Sequence, residues 1–115
     1  MKRFVALSCG LLLASAACAG EEGVAVQGFA DMSCGVWVAS SGNEFARAQY
    51  LSWFRGFVSG VNFADSKHQI GLAQMPSNET LSLYVDKYCR ENPLSGFPGA
   101  AFQLVRDLRG QPKRG

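Results

Sequence analysis

The sequence predicts an all-α fold, a small three- or four-helix bundle tied by one disulfide. Two observations carry that expectation. Apolar residues recur at helical spacing in separate stretches, each bounded by polar, glycine or proline turns. Of four cysteines, Cys9 and Cys18 fall in an N-terminal export segment, which leaves Cys34 and Cys89.

Met1-Lys2-Arg3 is a short cationic start, followed by an apolar stretch from Phe4 to Ala17 and the small-x-small pattern Ala17-Cys18-Ala19. That is the anatomy of a secretory signal peptide over residues 1–19, cleaved after Ala19. Acylation at Cys18 is the rival reading, but lipoprotein signals usually carry a large aliphatic residue where Ser15 stands. The apolar stretch is shorter than the about 20 residues a bilayer needs. No second run of that length follows, so the mature chain is expected to be soluble and not held in a membrane. In an oxidising compartment the two remaining cysteines most simply pair, the alternative being two buried free thiols. Closing a loop of about 55 residues is worth about 4 kcal/mol in the chain-entropy treatment.

Lys2 and Arg3 leave with the signal, which brings the 11 Lys+Arg level with the 9 Asp+Glu. A balanced charge gives no reason to expect nucleic acid or an anionic membrane as partner.

Residues 20–30 are polar and without period, and read as a flexible lead-in. Asp31 and Ser33 offer helix-start chemistry, and a short helix from Ser33 to Ala39 would put Cys34 and Trp37 on one side. A brief strand over Val36–Val38 is the alternative, though no partner strand is evident. After the loop Ser40–Asn43, Ser41 and Glu44 stand at capping-box spacing. A central helix follows from Glu44 to Phe63. Tyr50, Trp53, Phe54, Phe57 and Val61 form its apolar face, widened by Leu51, Val58 and Phe63. Gly56 and Gly60 lie inside it, each at about 1 kcal/mol of helix propensity. They read as a smooth patch that lets another helix or an aromatic ring approach, with a kink or partner-binding groove as the functional alternative.

Ala64–Pro76 loses the pattern and reads as a loop holding the single His68. Asn78 is expected to cap the next helix. Its face is Leu81, Tyr84, Val85, Tyr88 and Cys89, with Asp86 and Arg90 paired on the outer side and Asn92-Pro93 as the stop. Asn78-Glu79-Thr80 matches a glycosylation acceptor, but the alanine-rich signal looks bacterial, so the match reads as coincidence. Leu94–Gly99 reads as a linker. A last helix from about Pro98 presents Ala101, Leu104, Val105 and Leu108 and stops at Gly110. The helical domain thus spans 31–110, with a basic tail over 111–115.

Motifs for chemistry are few. One histidine and two distant cysteines do not compose a metal site, and His68 has no evident orienting partner for nucleophilic catalysis. No glycine run forms a phosphate or dinucleotide loop. The expectation is a binding protein without cofactor rather than an enzyme. Tyr50, Trp53, Phe54, Phe57, Gly56 and Gly60 are its candidate partner-binding residues.

Asp31-Met32-Ser33-Cys34, followed later by Tyr84-Val85-Asp86-Lys87-Tyr88-Cys89-Arg90-Glu91-Asn92-Pro93, resembles the small periplasmic acid-stress chaperones of the HdeA/HdeB type. The segment Trp53–Asn62 looks instead like the central helix of exported HdeA-like proteins of unassigned role. It is also somewhat similar to periplasmic immunity proteins that neutralise type VI secretion amidases. The resemblance implies a compact helical bundle in the periplasm. Its partners would be other proteins: unfolding clients at low pH, or one toxin at neutral pH. A homodimer is open to either.

Overall fold

The computed structural model describes residues 25–110. The signal peptide, residues 20–24 of the lead-in and the 111–115 tail lie outside the described residues. The described chain runs α1 (Cys34–Ala39), α2 (Glu44–Ala64), a single 3-10 turn (Leu72–Gln74), α3 (Asn78–Glu91) and α4 (Phe97–Gly110). The bundle is all-α, as predicted, and among the described residues no helix is long and apolar enough to cross a membrane.

Local chemistry sets the helix starts. Ser33 caps α1, its side chain accepting from the Val36 amide, while the Asp31 carboxylate accepts from Ser33 N–H. Asn43 rather than Ser41 caps α2, accepting from Ala46 N–H. The cap oxygen must sit on the residue that leaves helical backbone geometry, and the helix starts two residues later than the capping-box spacing implies. For the same reason Ser77, not Asn78, caps α3 and accepts from Thr80 N–H. Asn78 is thereby free to accept from the Arg55 guanidinium at 2.7 Å, linking α2 to α3.

The core draws on every helix. Trp37, Phe54, Leu81, Val85 and Phe97 are fully enclosed, with Tyr50, Leu51, Val58, Leu104 and Leu108 around them. Cys34 and Cys89 form the disulfide, with their Cα atoms 5.3 Å apart, and both are buried. It joins α1 to α3, and α4 closes the bundle beside it. Cys34 N–H donates to the Ser95 carbonyl and Phe97 N–H to the Met32 carbonyl, an isolated two-residue bridge across Ser33 and Gly96. This crossing needs glycine. A Cβ on Gly96 would lie 2.9 Å from the Met32 carbonyl oxygen, and one on Gly99 would run into the Tyr88 hydroxyl.

Phe97 is the residue the sequence reading placed worst. It was expected in a linker, yet it opens α4 and sits at the centre of an aromatic cluster. Its ring lies 5.2 Å from those of Trp37 and Tyr50, 5.5 Å from Phe54 and 5.6 Å from Trp53. Phe63 departs the other way: expected to widen the apolar face of α2, it is 92% exposed. The helix outruns its partners there, and the face turns to solvent. The segment after α2 is more ordered than its lost periodicity implied. Asn62 clamps Ile70 with its side-chain amide, accepting from the Ile70 amide at 2.8 Å and donating to its carbonyl at 2.9 Å. That grip holds Ile70 in the core.

Asp86 does not pair with Arg90. It turns inward and accepts from the Trp37 indole N–H at 2.8 Å and from the Arg47 guanidinium at 3.3 Å. Arg47 also lies over the Trp37 ring, 3.7 Å from its centre, and donates to the Ser40 hydroxyl and the Trp37 carbonyl. One guanidinium thus ties α2 to the end of α1 and to α3. The stack and the charge-assisted hydrogen bonds reinforce each other.

Candidate functional site

The six residues singled out on α2 do not form one exposed surface. Tyr50 and Phe54 point into the core, 4% and 0% exposed. Trp53 and Phe57 are half-buried, stacked on each other at 5.5 Å between ring centres. Phe57 also meets Phe102 of α4 edge-on at 5.1 Å. Gly56 and Gly60 are exposed, and nothing lies within 4 Å of where their Cβ atoms would stand. The close approach expected there is therefore absent among the described residues. The close approaches fall instead at Gly28 and Gly96, against Met32, and at Gly99, against the Tyr88 hydroxyl.

The lead-in crosses this face. Its described part, Ala25–Met32, forms a strap over α2. The Trp53 indole N–H donates to the Gln27 carbonyl at 2.9 Å. The Tyr50 hydroxyl donates to the Asp31 carbonyl at 2.7 Å. The Phe29 ring meets Tyr50 edge-on at 5.0 Å while staying 47% exposed. Burial, and secondarily the Asp31 charge, raise the Tyr50 phenol above its ordinary value, so the hydroxyl stays a donor. The Asp31 carboxyl is held below the usual range, chiefly by the Ser33 backbone N–H.

The strap leaves a channel of about 400 Å³ lined by Ala25, Val26, Gln27, Trp53, Gly56 and Phe57. No charged side chain of the described residues lines it. Two aromatic rings supply one wall, and the bare backbone edge at Gly56 leaves space between them. Such a surface can take up apolar side chains.

A larger groove of about 870 Å³ lies between the 3-10 turn, α3 and α4. Several of its polar groups are already hydrogen-bonded, to one another or to Gln103 beside it. Tyr84 donates to Asp107 at 2.6 Å, Gln103 donates to Asp107 at 3.2 Å, and Arg106 donates to Gln103 at 2.6 Å. Burial first, and the Asp107 carboxylate second, push the Tyr84 phenol up, so it remains protonated. His68 lies in an exposed loop, as expected, with its Nδ1 3.1 Å from the Asp65 carboxylate. Among the described residues no three His, Cys, Asp or Glu side chains gather as a metal-ligand set.

Sequence reading missed the strap and the Arg47–Trp37–Asp86 cluster. Phe29, an aromatic residue in a polar, aperiodic stretch, was the one available signal for the strap. Compared with known proteins, the chain matches no family model, no curated protein and no solved structure.

Proposed function

We propose that this chain is an exported periplasmic binding protein, not an enzyme, that works as an acid-stress chaperone and holds unfolding clients on the aromatic side of α2. The observation that carries this reading is the division of fastenings. A covalent tie joins α1 to α3, whereas the aromatic face of α2 is covered by a strap held through hydrogen bonds and one ring contact. Such a molecule can bare its aromatic face without unravelling.

Acid acts in that direction. Protonation removes the negative charge of Asp65 facing Arg109, whose carboxyl is held below its usual value in the folded state first by the hydrogen bond with His68. Net positive charge then grows and loosens the bundle. The test is aggregation of an acid-unfolded client at about pH 2–3, with and without the mature protein. Protection at stoichiometric ratio is expected; undiminished aggregation would remove the reading.

A second reading is an immunity or inhibitor protein that holds a secreted amidase at neutral pH. It is favoured by apolar side chains exposed in the folded state, Val38, Phe45 and Leu83 among them. A pull-down from periplasmic extract at pH 7 that yields one stoichiometric partner would support it over the chaperone.

A further inference from the structure

We infer that Arg47 is a positioning residue for the disulfide: with Asp86 it docks α1 on α3 independently of the sulfurs, so that Cys34 and Cys89 stand face to face and shielded as thiols before the bond closes and after it is reduced. The inference goes beyond the binding role and does not depend on it.

Two rungs join the helices, one turn apart on each. Cys34 meets Cys89, and Trp37, three residues further along α1, meets Asp86, three residues back along α3. The first rung is covalent. The second is polar: the Trp37 indole N–H donates to Asp86 Oδ1 at 2.8 Å, and Arg47 of α2 donates to the same oxygen at 3.3 Å. The Arg47 guanidinium lies over the Trp37 ring and also donates to the Ser40 hydroxyl at 2.9 Å and to the Trp37 carbonyl at 3.3 Å. Ser40 is the C-cap of α1, and the last turn of that helix has no basic residue of its own. Arg47 therefore closes α1 from a neighbouring helix and fixes its register on α3.

A helix of six residues does not hold its shape alone. The polar rung supplies the missing support without using the sulfurs. Trp37 is fully enclosed and the Arg47 side chain is 15% exposed, so the stack and the charged hydrogen bonds act largely out of solvent. Cys34 and Cys89 are buried beside them. Oxidation then joins partners already in place. Two protein thiols and one glutathione disulfide give the protein disulfide and two glutathione thiols, with α1 staying where it is.

The test uses the reduced mature chain, in which Cys34 and Cys89 are the only cysteines. Iodoacetamide alkylation near neutral pH, under a phosphine reductant and read by mass spectrometry, reports each opening of α1 at sulfur. In wild type both thiols are expected to react at least about a hundredfold more slowly than in urea. Arg47→Ala should speed both at least about tenfold, with the helical circular dichroism retained. Arg47→Lys keeps the charge but loses the flat stack and the fork, and should fall between. Arg55→Ala is the control. Arg55 joins α2 to the start of α3 through Asn78 and Pro76, so its loss should change the rates by less than about twofold.

Thiols as reactive in wild type without urea as with it would show that the disulfide alone docks α1. Equal rates in wild type, Arg47→Ala and Arg47→Lys would remove Arg47 from the latch. Equal acceleration by Arg47→Ala and Arg55→Ala would show opening of the whole bundle. Each of these results overturns the proposal. If Arg47→Ala loses its helical signal on reduction, Arg47→Lys against Arg55→Ala decides by the same criteria.

Discussion

The back of the bundle, where α1 meets α3, and its front, where the strap crosses α2, are fastened by different chemistry. At the back a disulfide, a backbone bridge and a guanidinium stacked on indole converge on buried Cys34, Trp37 and Cys89. At the front two side-chain donors grip two main-chain carbonyls, and one half-exposed ring touches another. The difference shows where this small protein concentrates its stability. A helical domain of this size buries a modest core, so covalent and charge-assisted ties matter more than in a larger one. They hold α1 to α3, whereas the strap over α2 has no covalent tie of its own.

The sharpest test of the contrast is Phe97→Ala. Phe97 links back to front through four rings, and its loss should cost about 3–5 kcal/mol by transfer and cavity terms. Urea unfolding followed by circular dichroism measures it. A cost below about 1 kcal/mol, within the range of ordinary surface changes, would deny Phe97 its central role.

Replacing both Cys34 and Cys89 by serine should lower stability by about 4 kcal/mol through the freed loop. If the back is the anchor, Trp53 emission in the folded state should be nearly unchanged by that replacement. A large spectral shift at native urea concentrations would show that front and back are one cooperative unit.

Asp86→Asn keeps an acceptor for the Trp37 indole but removes the charge opposite Arg47. The pair is partly exposed, so the expected cost is about 1 kcal/mol, falling as salt is added. No salt dependence of the difference would assign the effect to geometry rather than charge.

The smallest effect concerns Asp65, at the end of α2. Its carboxyl is held below the usual value first by the hydrogen bond with His68, then by the charges of His68 and Arg109. A depressed carboxylate adds stability that is present above its unfolded value near 4 and is lost as pH falls through the lower folded value. Wild type and Asp65→Asn should therefore differ at pH 5 and converge by about pH 2. A gap that persists at pH 2 would rule out this ionisation as the cause.

Much of the fold was legible in the chain. The long helix, the α3 face through Cys89 and the α4 face of Ala101, Leu104, Val105 and Leu108 all follow three/four spacing, and the α4 face is buried throughout. The candidate surface was less legible. Periodicity placed Tyr50, Trp53, Phe54 and Phe57 on one side of α2, but it does not say which of them another segment covers. Tyr50 and Phe54 went to the core because Phe97 enters between them. Phe97 stands at helical spacing before Ala101 and Leu104, but the neighbouring Pro93, Gly96, Pro98 and Gly99 made its segment read as a linker.

By itself, then, the order of residues determined an all-α bundle of three or four helices, the approximate helix ends and the pairing of two cysteines, because spacing, turn residues and redox chemistry act locally or by simple arithmetic. Only the tertiary structure decided that Asp86 faces Arg47 rather than Arg90, that Ile70 is clamped by Asn62, and that Ala25–Met32 lies across α2. Those choices depend on which distant groups meet after the chain closes. A single hydrogen-bonding side chain or a lone aromatic ring leaves no repeating trace along the sequence to announce its partner.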